Sequence, residues 1–201
     1  MSNTDVEPPG AENASSTTAG KVALEWWSRL TDKKSGDAGA RARLRRSHST
    51  GDALGERAAL ALARRLRNVR PTPSTGRALD LARVLVHVRE HTPITPMRAV
   101  GWKAFPYDRA EAEGGGERPA LSEARFRRLM KAEHDNDELV VAFIRLVHLL
   151  GESCNVARLA EDFLYWGDRC RERMAFEYYA AGSPTSDSPK VSAVTSSEDN
   201  E

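Results

Sequence analysis

From Lys21 onward the apolar residues of this chain recur at steps of three and four, and no stretch sustains the two-residue alternation of a half-buried strand. The spacing predicts an all-α fold. A first helix is expected from about Lys21 to Thr31, carrying Leu24, Trp27 and Leu30, with a turn from Lys33 to Gly39 and a short basic helix after it. Residues 53–69 place Leu54, Ala58, Leu62, Leu66 and Val69 on one stripe and Arg57, Arg64 and Arg67 on the opposite side. Pro71 stops that helix. The next is expected over residues 77–90, with Leu81, Val84, Leu85 and Val88 inward, until Pro93 and Pro96 forbid continuation.

Residues 91–120 hold four prolines and the run Gly114-Gly115-Gly116, a composition that fits a long flexible connection better than a regular element. Beyond it, Ser122 is placed to cap a helix carrying Phe126, Leu129 and Met130. Asp135 and Glu138 have capping-box spacing before a helix with Leu139, Phe143, Leu146, Val147 and Leu150 inward, and Gly151 suits its C-terminal end. Asn155 is expected to start one long last helix bearing Val156, Leu159, Phe163, Trp166, Cys170 and Met174. Both ends of the chain are rich in Ser, Thr, Pro, Gly and acids, with too little apolar area to offset the entropy of ordering. The expected organisation is a disordered tail over 1–20, a helical subdomain with its linker over 21–118, a second small bundle over 119–181, and a second disordered tail over 182–201.

Composition narrows the class. The chain has 201 residues, 40% of them hydrophobic, which suffices for one packed domain or two small ones. Charged residues make up 29% and the mean hydropathy is −0.56. No apolar run approaches the roughly 18 residues of a membrane span. The first twenty residues carry Asp5, Glu7 and Glu12 and no Lys or Arg, the wrong chemistry for a secretory signal, so a cytoplasmic protein is expected. Cys154 and Cys170 form no CxxC unit and are expected to be buried free thiols.

The formal net charge of +1 conceals an uneven distribution. Residues 41–70 hold nine arginines against Asp52 and Glu56. Such a cluster repels itself unless solvated or neutralised by a partner, which points to a phosphate-bearing ligand. In Arg41-Ala42-Arg43-Leu44-Arg45-Arg46, Arg41 and Arg45 share a helix face one turn apart and Arg46 flanks it, so several guanidiniums can meet successive phosphates of one strand. That pattern reads backbone and not sequence.

Other candidate chemistry is weaker. Gly114–Gly116 is followed by Glu117-Arg118-Pro119 in place of the Lys and Ser/Thr of a phosphate-cradling loop. His87 and His91 lie four apart without further ligands of the usual kind, so no metal is expected. Asp135, Asp137 and Glu138 sit where a helix start favours acids. No nucleophile elbow or triad stands out, and neither catalytic residues nor a cofactor are assigned. Of the adjacent Trp26 and Trp27, only one is expected to point fully inward, leaving the other at the core margin. Core packing is the expectation for this pair, as for Trp166 with Tyr165.

Three blocks together resemble the small subunit of the type I-E CRISPR Cascade effector, the CasB family. They are Leu24-Glu25-Trp26-Trp27-Ser28-Arg29-Leu30 with Ala42–Arg46 after it, then Arg125-Phe126-Arg127-Arg128-Leu129-Met130-Lys131-Ala132-Glu133, then Asn155-Val156-Ala157-Arg158-Leu159-Ala160-Glu161-Asp162-Phe163-Leu164-Tyr165-Trp166. They frame most of the chain between the tails. The resemblance implies a non-enzymatic protein, present in two copies beside the other Cascade subunits, that contacts guide RNA and target DNA and holds an R-loop open. Carried over by position, the family's basic residues fall on Arg46 with Arg45 beside it, and on Arg125 and Lys131. Arg41, Arg43, Arg127 and Arg128 join them on local charge alone, and Arg145 is a weaker candidate. One departure is Val156, where the family often has an aromatic. The site so drawn requires both stretches to converge into one exposed track. Rival readings are a helical DNA-binding regulator using residues 53–69 as recognition helix, and an adaptor whose basic face meets an acidic protein.

Overall fold

The computed structural model describes residues 18–103, 118–133 and 137–180. Both tails beyond these limits, Gly114–Gly116 and Asp135 lie outside them. In chain order the helices are α1 (Ala19–Thr31), α2 (Ala38–Arg45), α3 (Thr50–Leu54), α4 (Arg57–Leu66) and α5 (Thr75–Leu85). Then come strand β1 (Glu90–His91), α6 (Pro96–Val100), α7 (Glu123–Lys131), α8 (Glu138–Leu149), strand β2 (Ser153–Cys154), α9 (Val156–Leu164) and α10 (Asp168–Tyr178). The fold is all-α, as the periodicity requires, with one parallel two-residue pairing of Glu90 with Ser153 and His91 with Cys154. No described helix is long and apolar enough to cross a membrane.

Two compact units make up the chain, and their boundary is not the expected one at 118/119. Among the described residues, the first takes those up to Arg89 together with Val156–Leu164, and the second takes those from Glu90 to Asn155 and from Tyr165 onward. Helix α9 therefore belongs with α1–α5.

In the first unit α1 packs on α9 and α4, and α5 packs on α3, α4 and α9. Both adjacent tryptophans of α1 are buried, against the expectation that one would sit at the margin. Each indole N–H finds a carbonyl: Trp26 Nε1 donates to Ala58 O at 2.8 Å and Trp27 Nε1 to Val88 O at 3.1 Å. The single helix expected over residues 53–69 is two. Ser49 and Asp52 close a capping box that starts α3, Gly55 ends it, and Leu54, assigned to the core stripe, is 51% exposed. Leu62, Leu66 and Val69 are buried as expected, while Arg57, Arg64 and Arg67 face water. Helix α5 delivers Leu81, Val84 and Leu85 to the core, with Val88 beyond its end. Val156, the departure from the family pattern, is fully buried at the start of α9.

In the second unit the proline-rich stretch is more regular than its composition suggests. Pro96 opens α6 at a first-turn position, where its missing N–H has no partner to lose. A Cβ on Gly101 would run into the Tyr178 carbonyl, and this close approach lets Trp102 N donate to Tyr178 O at 2.7 Å. Ser122 begins α7 without a side-chain cap bond. Gly151 takes φ +65° directly after α8, the left-handed position expected of it. The long last helix is broken: Tyr165–Gly167 separate α9 from α10, with extended backbone at Gly167. Trp166 there is buried and donates Nε1 to Ala132 O at 2.9 Å, a contact a continuous helix would not need. Cys154 and Cys170 are buried and free, and burial pushes the Cys154 thiol up to about 12.

Candidate nucleic-acid interface

The two arginine stretches fall in different units. Arg41, Arg43, Arg45 and Arg46 belong to the first, and Arg125, Arg127, Arg128, Lys131 and Arg145 to the second. Neither unit holds the whole set.

On α2 the shared face of Arg41 and Arg45 meets the end of α5. Arg41 donates Nε to Val86 O at 3.0 Å and Nη2 to Val88 O at 2.9 Å; Arg45 donates Nε to Val86 O at 3.0 Å. A helix end leaves its last carbonyls without intrahelical partners and carries partial negative charge, so two guanidiniums are well matched to it. Arg43 instead donates Nε to Glu56 Oε1 at 2.8 Å, and this hydrogen bond raises its pKa further. Arg46 is exposed, and its guanidinium makes no hydrogen bond or ion pair among the described residues. Of the four, Arg46 is the one whose charge is fully offered to solvent.

A measurable difference follows. Arg41→Ala is expected to cost about 2 kcal/mol, because the Val86 and Val88 carbonyls just past α5 lose charge-assisted donors. Arg46→Ala is expected to stay within about 0.5 kcal/mol of the parent. Urea denaturation of the two variants checks this, and equal midpoints would remove the capping role.

On α7 the arrangement is different. Phe126 and Leu129 turn inward, and Arg125, Arg127, Arg128 and Lys131 stand exposed. Arg127 is held by Glu123, Nη2 to Oε2 at 2.9 Å, whereas Arg125, Arg128 and Lys131 make no side-chain ion pair or hydrogen bond among the described residues. Arg125 and Arg128 are one turn apart and line a cleft of about 660 Å³ with Arg145 and His148 of α8. Its floor is apolar, from Leu121, Leu129, Leu146 and Leu149, and among the described residues no carboxylate lines it, although Glu152 pairs with His148 at 3.4 Å. Arg145 is a lone cation on an apolar helix, and the signal the sequence holds for it is His148 three residues on, on the same face.

Helix α7 is fixed at both ends. Near its start, Phe126 stacks on Tyr178 with ring centroids 4.0 Å apart, and the Tyr178 hydroxyl donates to Leu121 O at 2.7 Å. At its end, Ala132 O accepts from both Trp166 Nε1 and, at 3.3 Å, Arg171 Nη2. Arg171 also lies over the Trp166 ring. Arg125 and Arg128 are thus presented from a rigid support.

Sequence reasoning set Arg57, Arg64 and Arg67 aside for a recognition helix. They form a second exposed cationic row along α4 and its C-terminal cap, interrupted by Leu60, which is 42% exposed. Among the described residues no three His, Cys, Asp or Glu side chains come together as a metal site.

No curated protein sequence matches the chain. The crystal structure of CasB from Thermus thermophilus shares its fold, with a TM-score of 0.57 and 24% identity, covering 81% of this chain and 99% of that one. The profile of the family described as CRISPR-associated protein Cse2 matches residues 40–179, which run from within α2 through α10. The chain belongs to the CRISPR-associated Cse2 family, the CasB-type subunit of the Cascade complex in CRISPR defence.

Proposed function

We propose that this subunit works without catalysis, binding the sugar-phosphate backbone of guide RNA and displaced or target DNA and so stabilising the R-loop. The observation that carries the reading is the trio Arg125, Arg128 and Arg145, gathered at one cleft from two helices with no carboxylate among its described lining residues. Exchange of a DNA duplex for an RNA–DNA hybrid is nearly balanced in energy, so modest backbone contacts tip it. Guanidiniums supply them without reading bases. Arg46 and Lys131, exposed and unpaired among the described residues, and Arg43 and Arg127 through their remaining donors, extend the contact set. Arg41 and Arg45 contribute chiefly by holding α2 to α5. The partners are the other Cascade subunits, guide RNA, target DNA and a second copy of this chain, and the place of action is the cytoplasm.

Reconstitution of the complex with and without this subunit tests the reading. R-loop lifetime on a matched target is expected to shorten without it, while guide RNA loading by the remaining subunits persists. An unchanged lifetime would exclude the function. Footprints at a fixed half-site spacing on random DNA would favour a sequence-reading regulator.

A further inference from the structure

A backbone track needs cations alone, yet the α7–α8 cleft pairs its cations with an apolar floor. Leu121, Leu129 and Leu146 are nearly solvent-free themselves, but they wall an open space of about 660 Å³. This lies within the range of roughly 300–1,000 Å³ typical of small-ligand sites. Three guanidiniums stand around it, and a guanidinium does two things at once: its edge donates to phosphate and its plane stacks on a base.

We propose that this cleft receives one unstacked nucleotide, its base against the leucine floor and an adjoining phosphate on Arg125, Arg128 and Arg145. The inference rests on the backbone-binding reading and adds to it a pocket for a base. Two features favour a nucleotide over an acidic amphipathic peptide. All three rim cations are arginines, the residue whose planar fork matches phosphate and whose face accepts a ring. And α7, pinned at Leu121, Phe126 and Ala132, presents a preformed site, so a small rigid ligand is held without an ordering cost on the protein side. Since the floor offers no hydrogen-bonding group of its own side chains, the pocket takes any base, with preference set by the apolar area each base buries.

The test uses the full chain and two fluorescent probes of equal length, a short oligothymidylate and its abasic counterpart, which carries the same phosphates without bases. The oligothymidylate is expected to bind about tenfold more tightly, from burial of the base on the aliphatic floor. Ala142→Phe, which fills the half-buried floor and leaves every arginine in place, is expected to reduce oligothymidylate binding to the abasic level and leave abasic binding unchanged. Equal affinity of both probes for the parent protein overturns the base pocket and leaves backbone binding standing. If neither probe binds with a salt-dependent affinity, the backbone reading fails as well. Displacement of the oligothymidylate by a lower concentration of an acidic amphipathic helical peptide overturns the choice of ligand. Should Ala142→Phe fail to fold, the comparison of the two probes on the parent protein decides alone.

Discussion

Replacing Arg125, Arg128 and Arg145 together by alanine lowers the affinity of the chain for single-stranded DNA on the order of a hundredfold at low salt. Each guanidinium that meets a phosphate releases counterions, so the loss is also visible as a change in salt dependence. With about six phosphate contacts the log–log slope of the parent is near −4, and removing three flattens it by about 2. The triple variant keeps its helical content and its denaturation midpoint, because exposed unpaired charges contribute little to stability. Anisotropy titrations across a sodium chloride series measure both quantities. A slope that stays at the parental value would place the phosphate contacts elsewhere, and Arg57, Arg64 and Arg67 on α4 are the next row to replace.

Tyr178→Ala is expected to destabilise the second unit by about 4 kcal/mol. The ring is fully buried, stacks on Phe126, packs edge-on against Tyr179 and holds Leu121 through its hydroxyl. Its loss opens a cavity beneath α7 and frees a wall of the cleft, so nucleic-acid affinity falls with stability even though no cation is touched. Tyr178→Phe separates the parts: the stack survives while Leu121 O is left without its donor, at a cost of about 1–3 kcal/mol. Burial, and next the neighbouring Tyr179, push the Tyr178 phenol up to about 12 from the ordinary value of 10. The folded state therefore favours the neutral phenol. Its contribution is intact below about pH 10 and disappears as the pH rises through about 12. Urea midpoints of the parent and the Phe variant across that window are expected to converge, and a constant gap between them would exclude the linkage.

The parts of the fold that depend on local spacing were readable beforehand. The stripes of α1, α4, α5, α7 and α8 follow from steps of three and four, and Gly151 is where a left-handed residue had to be. What spacing does not reveal is which helices share a unit, and so α9 was joined to α10. The local signal for the break was Gly167 followed by Asp168, outweighed by the continuing apolar spacing, and the partner that holds Trp166, Ala132 O, is 34 positions away. The same limit governed the candidate site. Arg41 and Arg45 look like phosphate ligands in sequence because their charge and periodicity are visible and the α5 carbonyls they meet, over 40 residues distant, are not. Arg125 and Arg128 read alike in the sequence and in the fold, as exposed cations one turn apart on α7, because the one acid beside them, Glu123, is engaged by Arg127.

The insertion of residues 90–155 between α5 and α9 has a consequence for how the protein is made. As the nascent chain leaves the ribosome, the hydrophobic face of α1 emerges long before the α9 surface that covers it. Early α1–α5 must wait, incomplete, while the intervening stretch is translated. A fragment ending at Arg89 lacks that cover and should recruit chaperones or associate with its own kind, whereas one extending through Leu164 carries everything the first unit needs.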